Sequence, residues 1–403
     1  MKLLIVVSSL DLTQPFSATP AWWQLLKALY EVGVEVIATP YQGPAIESLW
    51  WRAAPNPAKW QGDVFKSARD LARKFMSREA SPSSLPRSTT DEPAESRSDQ
   101  VVRQAAQSLI APLWLSHLDK LLTKEPDIAA VIFLTVPLNQ LVGVPAELMR
   151  KHGKPVFYYD GDVPASLPNL PDMRGFQSGF RIYQGANPAE YTAFISNSAG
   201  GMQYLKALGA REVHTVFYGV DTDVFSPARV DSQDIDAFFY GHGREYREHW
   251  IDAMISQPSQ SLPDARFAVR GKNLGDLGRA ETLPYLSFNK MREYASRSKL
   301  NLCITRMAHA SVYASSSSRP FELASMGCCI VGNPYAGVET WFEPGKEIVI
   351  VHSAAEAIDR YRYLLANDME RKRVAAAAYS RVHKEHTMRH RARQLVEIVK
   401  SYL

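Results

Sequence analysis

The sequence predicts an α/β protein with two Rossmann-like, doubly wound parallel-sheet domains in tandem. Short apolar runs typical of buried strands alternate with helical patterns, and this alternation pauses at 217–228 and then restarts. The chain has 403 residues, long enough for two domains of ordinary size. We therefore expect a ligand in a cleft between the lobes, at the carboxyl ends of the strands.

The first domain is predicted to span residues 1–216, and a C-terminal helix over 386–403 is expected to complete it. A helical pattern over residues 20–32 ends at Gly33. A segment rich in serine, proline and acidic residues, 78–100, has too little apolar surface to pack and is predicted to be a mobile insertion. Strands are expected at 2–8, 34–40, 131–137, 154–160 and 193–198.

The second domain is predicted to span residues 229–385. Its first strand ends in glycines, and a helix is expected from about residue 244. Strands are expected at 236–243, 266–271, 300–306, 328–334 and 347–353, followed by two or three helices.

The composition narrows the class of protein. Forty-six basic residues against 42 acidic ones give a net charge of +4, too small a surplus to favour nucleic acid as a partner. Three cysteines form no pairwise framework, which favours a reducing compartment. With no signal-peptide pattern and no apolar run of membrane-spanning length, a cytoplasmic location is expected. A tryptophan-rich stretch with basic neighbours favours packing in the first domain, or a peripheral lipid or sugar surface: Trp50, Trp51 and Trp60.

The stretch ASSSSRPFELASMG (314–327) places polar groups around the start of a helix. Pro320 suits the first helical turn, and Gly327 suits the left-handed position that ends a helix. A helix N-terminus with hydroxyl donors and Arg319 is suited to a phosphate, and Glu322, one turn in, to a ribose diol. The alternative is a well-capped helix that binds nothing.

Several motifs resemble those of one enzyme family. The stretch RPFELASMG (319–327) resembles the R-x-F-E-x-x-A-x-G signature of the CgeB-like branch of the GT-B glycosyltransferases. Three further stretches are similar to motifs of the CgeB-like branch and of family-4-like GT-B enzymes, in the same order. They are WFEPGKE (341–347), His386-Thr387 with Arg391-Ala392, and Tyr218-Gly219-Val220-Asp221 before Phe225-Ser226-Pro227. The matches run from about residue 190 to the end of the chain.

The resemblance implies a nucleotide-sugar site in the second domain. Glu322 would bind the ribose, and Arg247 or Arg244 would reach the phosphates, unless these arginines only form a solvated helix face. Family-4-like enzymes carry a further glutamate where this chain has Ala314, so Arg306 and His309 are the nearest candidates to meet the sugar. The remaining donor-site residues implied are Gly241, Gly243, Ser316, Ser317, Ser318 and Arg319.

Asp160-Gly161-Asp162 follows a predicted strand of the first domain. It matches the Asp-x-Asp pattern with which GT-A glycosyltransferases hold a metal. In a GT-B fold either carboxylate could act as a base on the acceptor hydroxyl, and a simple turn is an equal alternative. Asp11, after the first strand, is a weaker candidate base.

The sequence therefore predicts a cytoplasmic GT-B hexosyltransferase that moves a sugar from a nucleotide diphosphate, UDP among the candidates, to an acceptor hydroxyl. The resemblance favours retention of configuration, no metal, and no cofactor besides the nucleotide-sugar. The acceptor is left open between a carbohydrate, a lipid-linked and a small molecule. Two alternatives also remain: a nucleotide-sugar 2-epimerase-like enzyme on the same fold, and a non-catalytic two-lobed binding protein.

Overall fold

The computed structural model describes residues 1–11, 21–59, 97–168, 170, 182–243 and 247–403. Of the predicted insertion, residues 78–96 lie outside the described residues, and residues 97–100 form the first turn of a helix. Within the described ranges, no helix is both long enough and apolar enough to cross a membrane.

The N-terminal lobe contains a seven-stranded sheet in the order β3-β2-β1-β4-β5-β6-β7, with every pair parallel. In this register Leu4 lies opposite Ile37 on one side and Val131 on the other, so strand side chains pack in layers. The strands are β1 (Lys2–Ser9), β2 (Glu35–Gln42), β3 (Arg52–Ala53), β4 (Ile128–Leu134), β5 (Val156–Asp160), β6 (Ala193–Ser196) and β7 (Val213–Thr215).

Helices cover both faces of this sheet. Trp114 packs with Phe133 on one face, and Leu26 packs with Ile132 on the other, all of them buried. The near-continuous apolar strands follow from this two-sided burial. The helices of this lobe are α1 (Ala21–Glu31), α2 (Arg97–Lys124), α3 (Val144–His152) and α4 (Met202–Ala207).

The C-terminal lobe contains a six-stranded parallel sheet in the order β10-β9-β8-β11-β12-β13. In both lobes the first strand lies between the second and fourth, so the strand order reverses there and a crevice opens at the carboxyl ends. The strands are β8 (Ile235–His242), β9 (Phe267–Lys272), β10 (Glu281–Thr282), β11 (Ser298–Cys303), β12 (Ile330–Gly332) and β13 (Val349–Ile350).

The helices that follow complete both lobes. The last helix crosses back to the first lobe, where Leu395 and Val399 join the apolar cluster of Leu26. The helices are α5 (Glu248–Ile251), α6 (Gln257–Ser261) after a π-helical turn (Asp252–Ser256), α7 (Phe288–Arg297), α8 (Met307–Ser311), α9 (Ser318–Ser325), α10 (Ala354–Ala366), α11 (Asp368–Glu385) and α12 (Met388–Lys400).

The structure confirms the predicted fold class of two Rossmann-like parallel-sheet domains around a cleft. Gly327 adopts a φ of +70°, the left-handed conformation that the sequence predicts after α9. Helix α9 has Ser317 as its N-cap and Ser318 as its first residue, so Pro320 lies in the first helical turn as predicted. The last strands are shorter than predicted, since β12 and β13 pair over only two residues.

Candidate functional site

A cleft of about 530 Å³ opens at the carboxyl ends of β8 and β9. Four cationic side chains converge on it, and no carboxylate is among the described residues that line it. Such a surface is suited to a ligand with several negative charges. The lining residues are Tyr218, Gly241, His242, Arg247, Lys272, Asn273, Arg306, Ser317, Ser318 and Arg319.

The N-terminus of α9 points its backbone N–H groups at this cleft. Ser317 caps the helix with extended backbone angles, φ −125° and ψ 158°, and its side chain accepts no capping hydrogen bond from the helix. Ser317 and Ser318 both line the cleft, so their hydroxyls lie beside the first N–H groups. A helix terminus with adjacent hydroxyls and cations is a favourable site for phosphate oxygens.

Arg319 is fixed by its surroundings and does not extend freely into the cleft. Its guanidinium lies 3.4 Å from the ring centroid of Tyr240, and Nη1 donates to the backbone oxygen of Tyr240. Its Nε lies 3.4 Å from Oε2 of Glu322. The arginine is therefore pre-positioned at the helix N-terminus, so its side chain should lose little conformational entropy when a ligand binds.

Glu322 lies beneath Arg319, and the cleft lining does not include it. Its side chain is 1% exposed and accepts a hydrogen bond of 3.3 Å from the hydroxyl of Tyr240. Burial raises the pKa of Glu322, although the charge of Arg319 opposes that shift. The contacts present make Glu322 a support for Arg319, and its predicted contact with a ribose stays a prediction.

Ser316 has a structural role, which corrects its assignment to the diphosphate loop. Its side chain is fully buried. The hydroxyl donates to the backbone oxygen of Asn197 at 2.9 Å and accepts from the backbone N–H of Tyr218 at 2.8 Å. Ser315 continues this contact, because its hydroxyl bonds that of Ser198 at 2.5 Å. These serines join the two lobes beside the cleft, and the hydroxyl proton of Ser316 is used in that contact.

The glycine turn after β8 allows two loops to approach each other. A Cβ at Gly243 would lie 1.7 Å from the backbone oxygen of Asn273, so only glycine fits. Arg247 follows this turn and donates to the backbone oxygens of Ile304 and His242, both at 3.1 Å. Arg247 therefore faces the cleft from an anchored position, whereas Arg244 lies outside the described residues.

Asp160 is buried under the cleft floor of the N-terminal lobe, which argues against its assignment as a base. Its carboxylate is fully shielded and accepts from Ser166 Oγ at 2.6 Å, Tyr183 OH at 2.5 Å and the backbone N–H of Asp162 at 2.9 Å. Burial raises the pKa of Asp160, and the two hydroxyls oppose that shift. Through these contacts Asp160 fixes the conformation of the loop after β5.

Asp162 reaches across the cleft to the C-terminal lobe. It forms an ion pair with Arg306 through both carboxylate oxygens, the longer contact being 3.4 Å. His309 Nε2 lies 3.2 Å from Arg306 Nη2 and 3.7 Å from Asp162. Of the two aspartates, Asp162 is the partly exposed one, and it contacts Arg306 of the cleft lining.

His309 is a neutral side chain in this cluster. It is fully buried, and burial together with Arg306 holds its pKa well below its usual range. An arginine only donates, so Nε2 of His309 accepts and the ring proton belongs on Nδ1. Within the described part of the chain Nδ1 has no hydrogen-bond partner.

Asp11 lies just after the carboxyl end of β1, and its role as a candidate base stays a prediction, whereas the tryptophans lie elsewhere in the lobe. The backbone N–H of Asp11 bonds Ser9 Oγ at 3.1 Å in a local turn. Trp50 packs on Trp23 at 4.9 Å, and both Trp50 and Trp51 line a surface groove with Glu35 at the amino end of the sheet, opposite the cleft. Trp60 lies outside the described residues.

The sequence interpretation missed Lys272 and Asn273, because it ended their strand at residue 271. Their position directly after a strand of the second lobe was a usable signal. Among the described residues, no group of three or more histidine, cysteine or acidic side chains is arranged to hold a metal ion.

Comparison with known proteins agrees with this architecture. Residues 244–397 match the family described as glycosyl transferase-like. A search of curated proteins gives no match. The fold is similar to that of sucrose-phosphate synthase from Thermosynechococcus elongatus, with a TM-score of 0.64 and 13% identity, covering 99% of this chain and 98% of that one.

Two further solved structures have the same fold. Anabaena HepE, in complex with UDP-glucose, has a TM-score of 0.60 and 11% identity, covering 100% of both chains. The β-glucosyltransferase of phage T4, in complex with UDP-glucose, has a TM-score of 0.56 and 12% identity, covering 100% of this chain and 99% of that one. The fold is therefore GT-B, and the match to the glycosyl transferase-like family covers most of the C-terminal lobe.

Proposed function

We propose that this protein transfers a sugar from a UDP-sugar to an acceptor hydroxyl in the cleft between the lobes. The observation that carries the proposal is the convergence of Arg247, Lys272, Arg306 and Arg319 on the N-terminus of α9. A leaving diphosphate gains negative charge as the sugar departs, and donors fixed in advance stabilise that charge most strongly. The UDP-glucose bound to HepE and to the phage T4 enzyme supports uridine as the base.

In this proposal the lobes have different tasks. The helix N-terminus, Ser317, Ser318 and Arg319 bind the diphosphate, and Arg306 bridges it to the sugar. Asp162 faces the acceptor from the N-terminal lobe and takes the proton of its hydroxyl. We further propose the CgeB-like branch, retention of configuration and metal-independent transfer, for which the resemblance of the motifs is the support. Domain limits of 1–216 and 229–385 are proposed from the break in the strand-helix alternation, and a cytoplasmic location from the cysteine usage.

The test is a thermal-shift screen of UDP-, GDP-, dTDP- and ADP-sugars, followed by a transfer assay on mixed acceptors with the donor that binds. Ligand at 100 times its Kd should stabilise the fold by about 2.7 kcal/mol and raise the melting temperature. UDP-sugars should give the largest shift. A chain stabilised by none of the four donor classes would contradict the proposal.

A further inference from the structure

Arg270, on β9, is a buried cation that no acidic group neutralises. Only 6% of its surface is exposed, and among the described residues it has no hydrogen-bond or ion-pair partner. Its contact is the ring of Tyr285, whose centroid lies 4.9 Å from the guanidinium carbon. Burial lowers the pKa of Arg270, and the nearby charge of Arg319 acts in the same direction. An unpaired cation in such a place is costly to the folded state unless a ligand meets it.

Arg270 lies beside the cleft, behind the residues that line it. Arg270 lies opposite Tyr240 in the register of β8 and β9, and the two side chains share a sheet face. Arg319 stacks on Tyr240, so Arg270 lies one strand, about 4.8 Å, beyond the support of the proposed diphosphate site. Lys272, two residues later on the same strand, lines the cleft itself.

The two side chains select a particular ligand chemistry. The ring of Tyr285 covers one face of the guanidinium and leaves the in-plane N–H groups unbonded. A guanidinium only donates hydrogen bonds, so its ligand must present an acceptor, and a carbonyl oxygen with two lone pairs suits its planar fork. Tyr285 is 58% exposed, and its ring offers a platform for a planar group. A planar ring with a carbonyl oxygen, one ribose away from a diphosphate, is a nucleobase.

We infer that Arg270 and Tyr285 form the nucleobase subsite, in which Arg270 donates to a carbonyl oxygen of uracil. The inference rests on the proposed function and deepens it, because it assigns the choice of base to these two side chains. Adenine accepts only through ring nitrogens, two of which lie beside an amino donor that would face the guanidinium, so Arg270 should favour uracil over adenine.

Calorimetric titration of UDP, ADP and inorganic pyrophosphate tests the inference. Arg270→Met should weaken UDP roughly 10- to 150-fold, the equivalent of one hydrogen bond to a charged group, and leave pyrophosphate unchanged. The preference for UDP over ADP should shrink by the same factor. Tyr285→Ala should weaken UDP, whereas Tyr285→Phe, which keeps the ring, should not.

A matched control is Arg297→Met, because Arg297 also stacks on a tyrosine, at 5.0 Å from Tyr294, but is paired with Asp234 at the far end of the lobe. It should leave UDP affinity unchanged. Without ligand, Arg270→Met should melt no lower than the wild type, since it removes an uncompensated charge. Equal losses for UDP and pyrophosphate, or full UDP affinity in Arg270→Met, would overturn the inference alone. A wild type that binds neither ligand would overturn the proposed function instead.

Discussion

At the scale of single residues, Arg319 carries the clearest expectation. Arg319→Ala removes a pre-positioned donor at the helix N-terminus, so affinity for UDP should fall by about 1.5–3 kcal/mol. Affinity for uridine alone should change much less. Calorimetry with both ligands measures the difference, and melting curves of the variant identify any loss of stability. Equal losses for uridine and UDP would assign Arg319 a structural role.

Substitutions of Asp160 and Asp162, at and after the end of β5, should have different effects. Asp162→Asn should keep donor affinity but lower turnover by about 10²–10⁴-fold, because it removes the proposed base. A chelator should leave the turnover of the wild type unchanged. Donor binding that requires both a metal and Asp162 would contradict the GT-B mechanism.

Asp160→Asn should act on stability and not on chemistry. It places an amide among three donors that now meet a carboxylate, and each unmatched buried group costs about 1–3 kcal/mol. The free energy of unfolding, measured with denaturant, should therefore fall. An Asp160→Asn variant of normal stability and lost turnover would restore Asp160 as a candidate base.

At the scale of elements, the sequence patterns predicted the parallel strands and helix α9 because apolar periodicity and capping are local properties. They could not show that Ser316 turns inward to Asn197 while Ser317 turns to the cleft, since that depends on a contact across 119 positions of the chain. The burial of Asp160 and the pairing of Asp162 with Arg306 are likewise set by tertiary packing. The patterns therefore identified helix α9 but not which of its neighbouring side chains face the cleft.

Helix α12 should be part of the stability of the N-terminal lobe. Leu395 is fully buried with Leu26 and Val399, so Leu395→Ala should cost about 2–5 kcal/mol of unfolding free energy. Leu403, which is 66% exposed after the same helix, provides the control, and Leu403→Ala should change stability by less than about 0.5 kcal/mol. Equally small changes in unfolding free energy for both variants would show that the packing of α12 does not stabilise the lobe.

The turn into α12 should make stability depend on pH. Burial, with Arg391 and Arg381 nearby, lowers the pKa of His386 to about 3. An unfolded histidine takes its proton near pH 6.5, so the unfolded chain binds more protons below that pH and the fold loses stability as pH falls. From pH 6.5 to 5 this histidine should account for about 1.6 kcal/mol.

The difference between the wild type and His386→Gln isolates this contribution, because Asp160, Glu322 and His309 are common to both proteins. The variant should lose less stability over the same interval. His352→Gln, at an exposed position, should follow the wild type. Parallel curves for the wild type and His386→Gln would show that His386 does not titrate as its burial implies.

At the scale of the whole molecule, the cleft depends on how the lobes are joined. The backbone N–H groups of Ala199 and Gly200 donate to the backbone oxygens of Ala314 and Tyr313. Lys27 of α1 forms an ion pair of 2.6 Å with Asp221, in the segment 217–228 between the two sheets. These contacts place Asp162 opposite Arg306, so the proposed base and the proposed diphosphate site meet only in the assembled protein. Neither lobe alone would contain the complete site.

The central claim is that this cleft binds the diphosphate of a nucleotide-sugar through its cations. It is tested most directly by titrating UDP-glucose into the wild type and into the double variant Arg306→Ala/Arg319→Ala, by calorimetry in the presence of a chelator. The account predicts saturable binding by the wild type and a loss of at least about 100-fold in the folded double variant, for two hydrogen bonds to charged groups. Unchanged affinity in the double variant, or binding that the chelator abolishes, would contradict it.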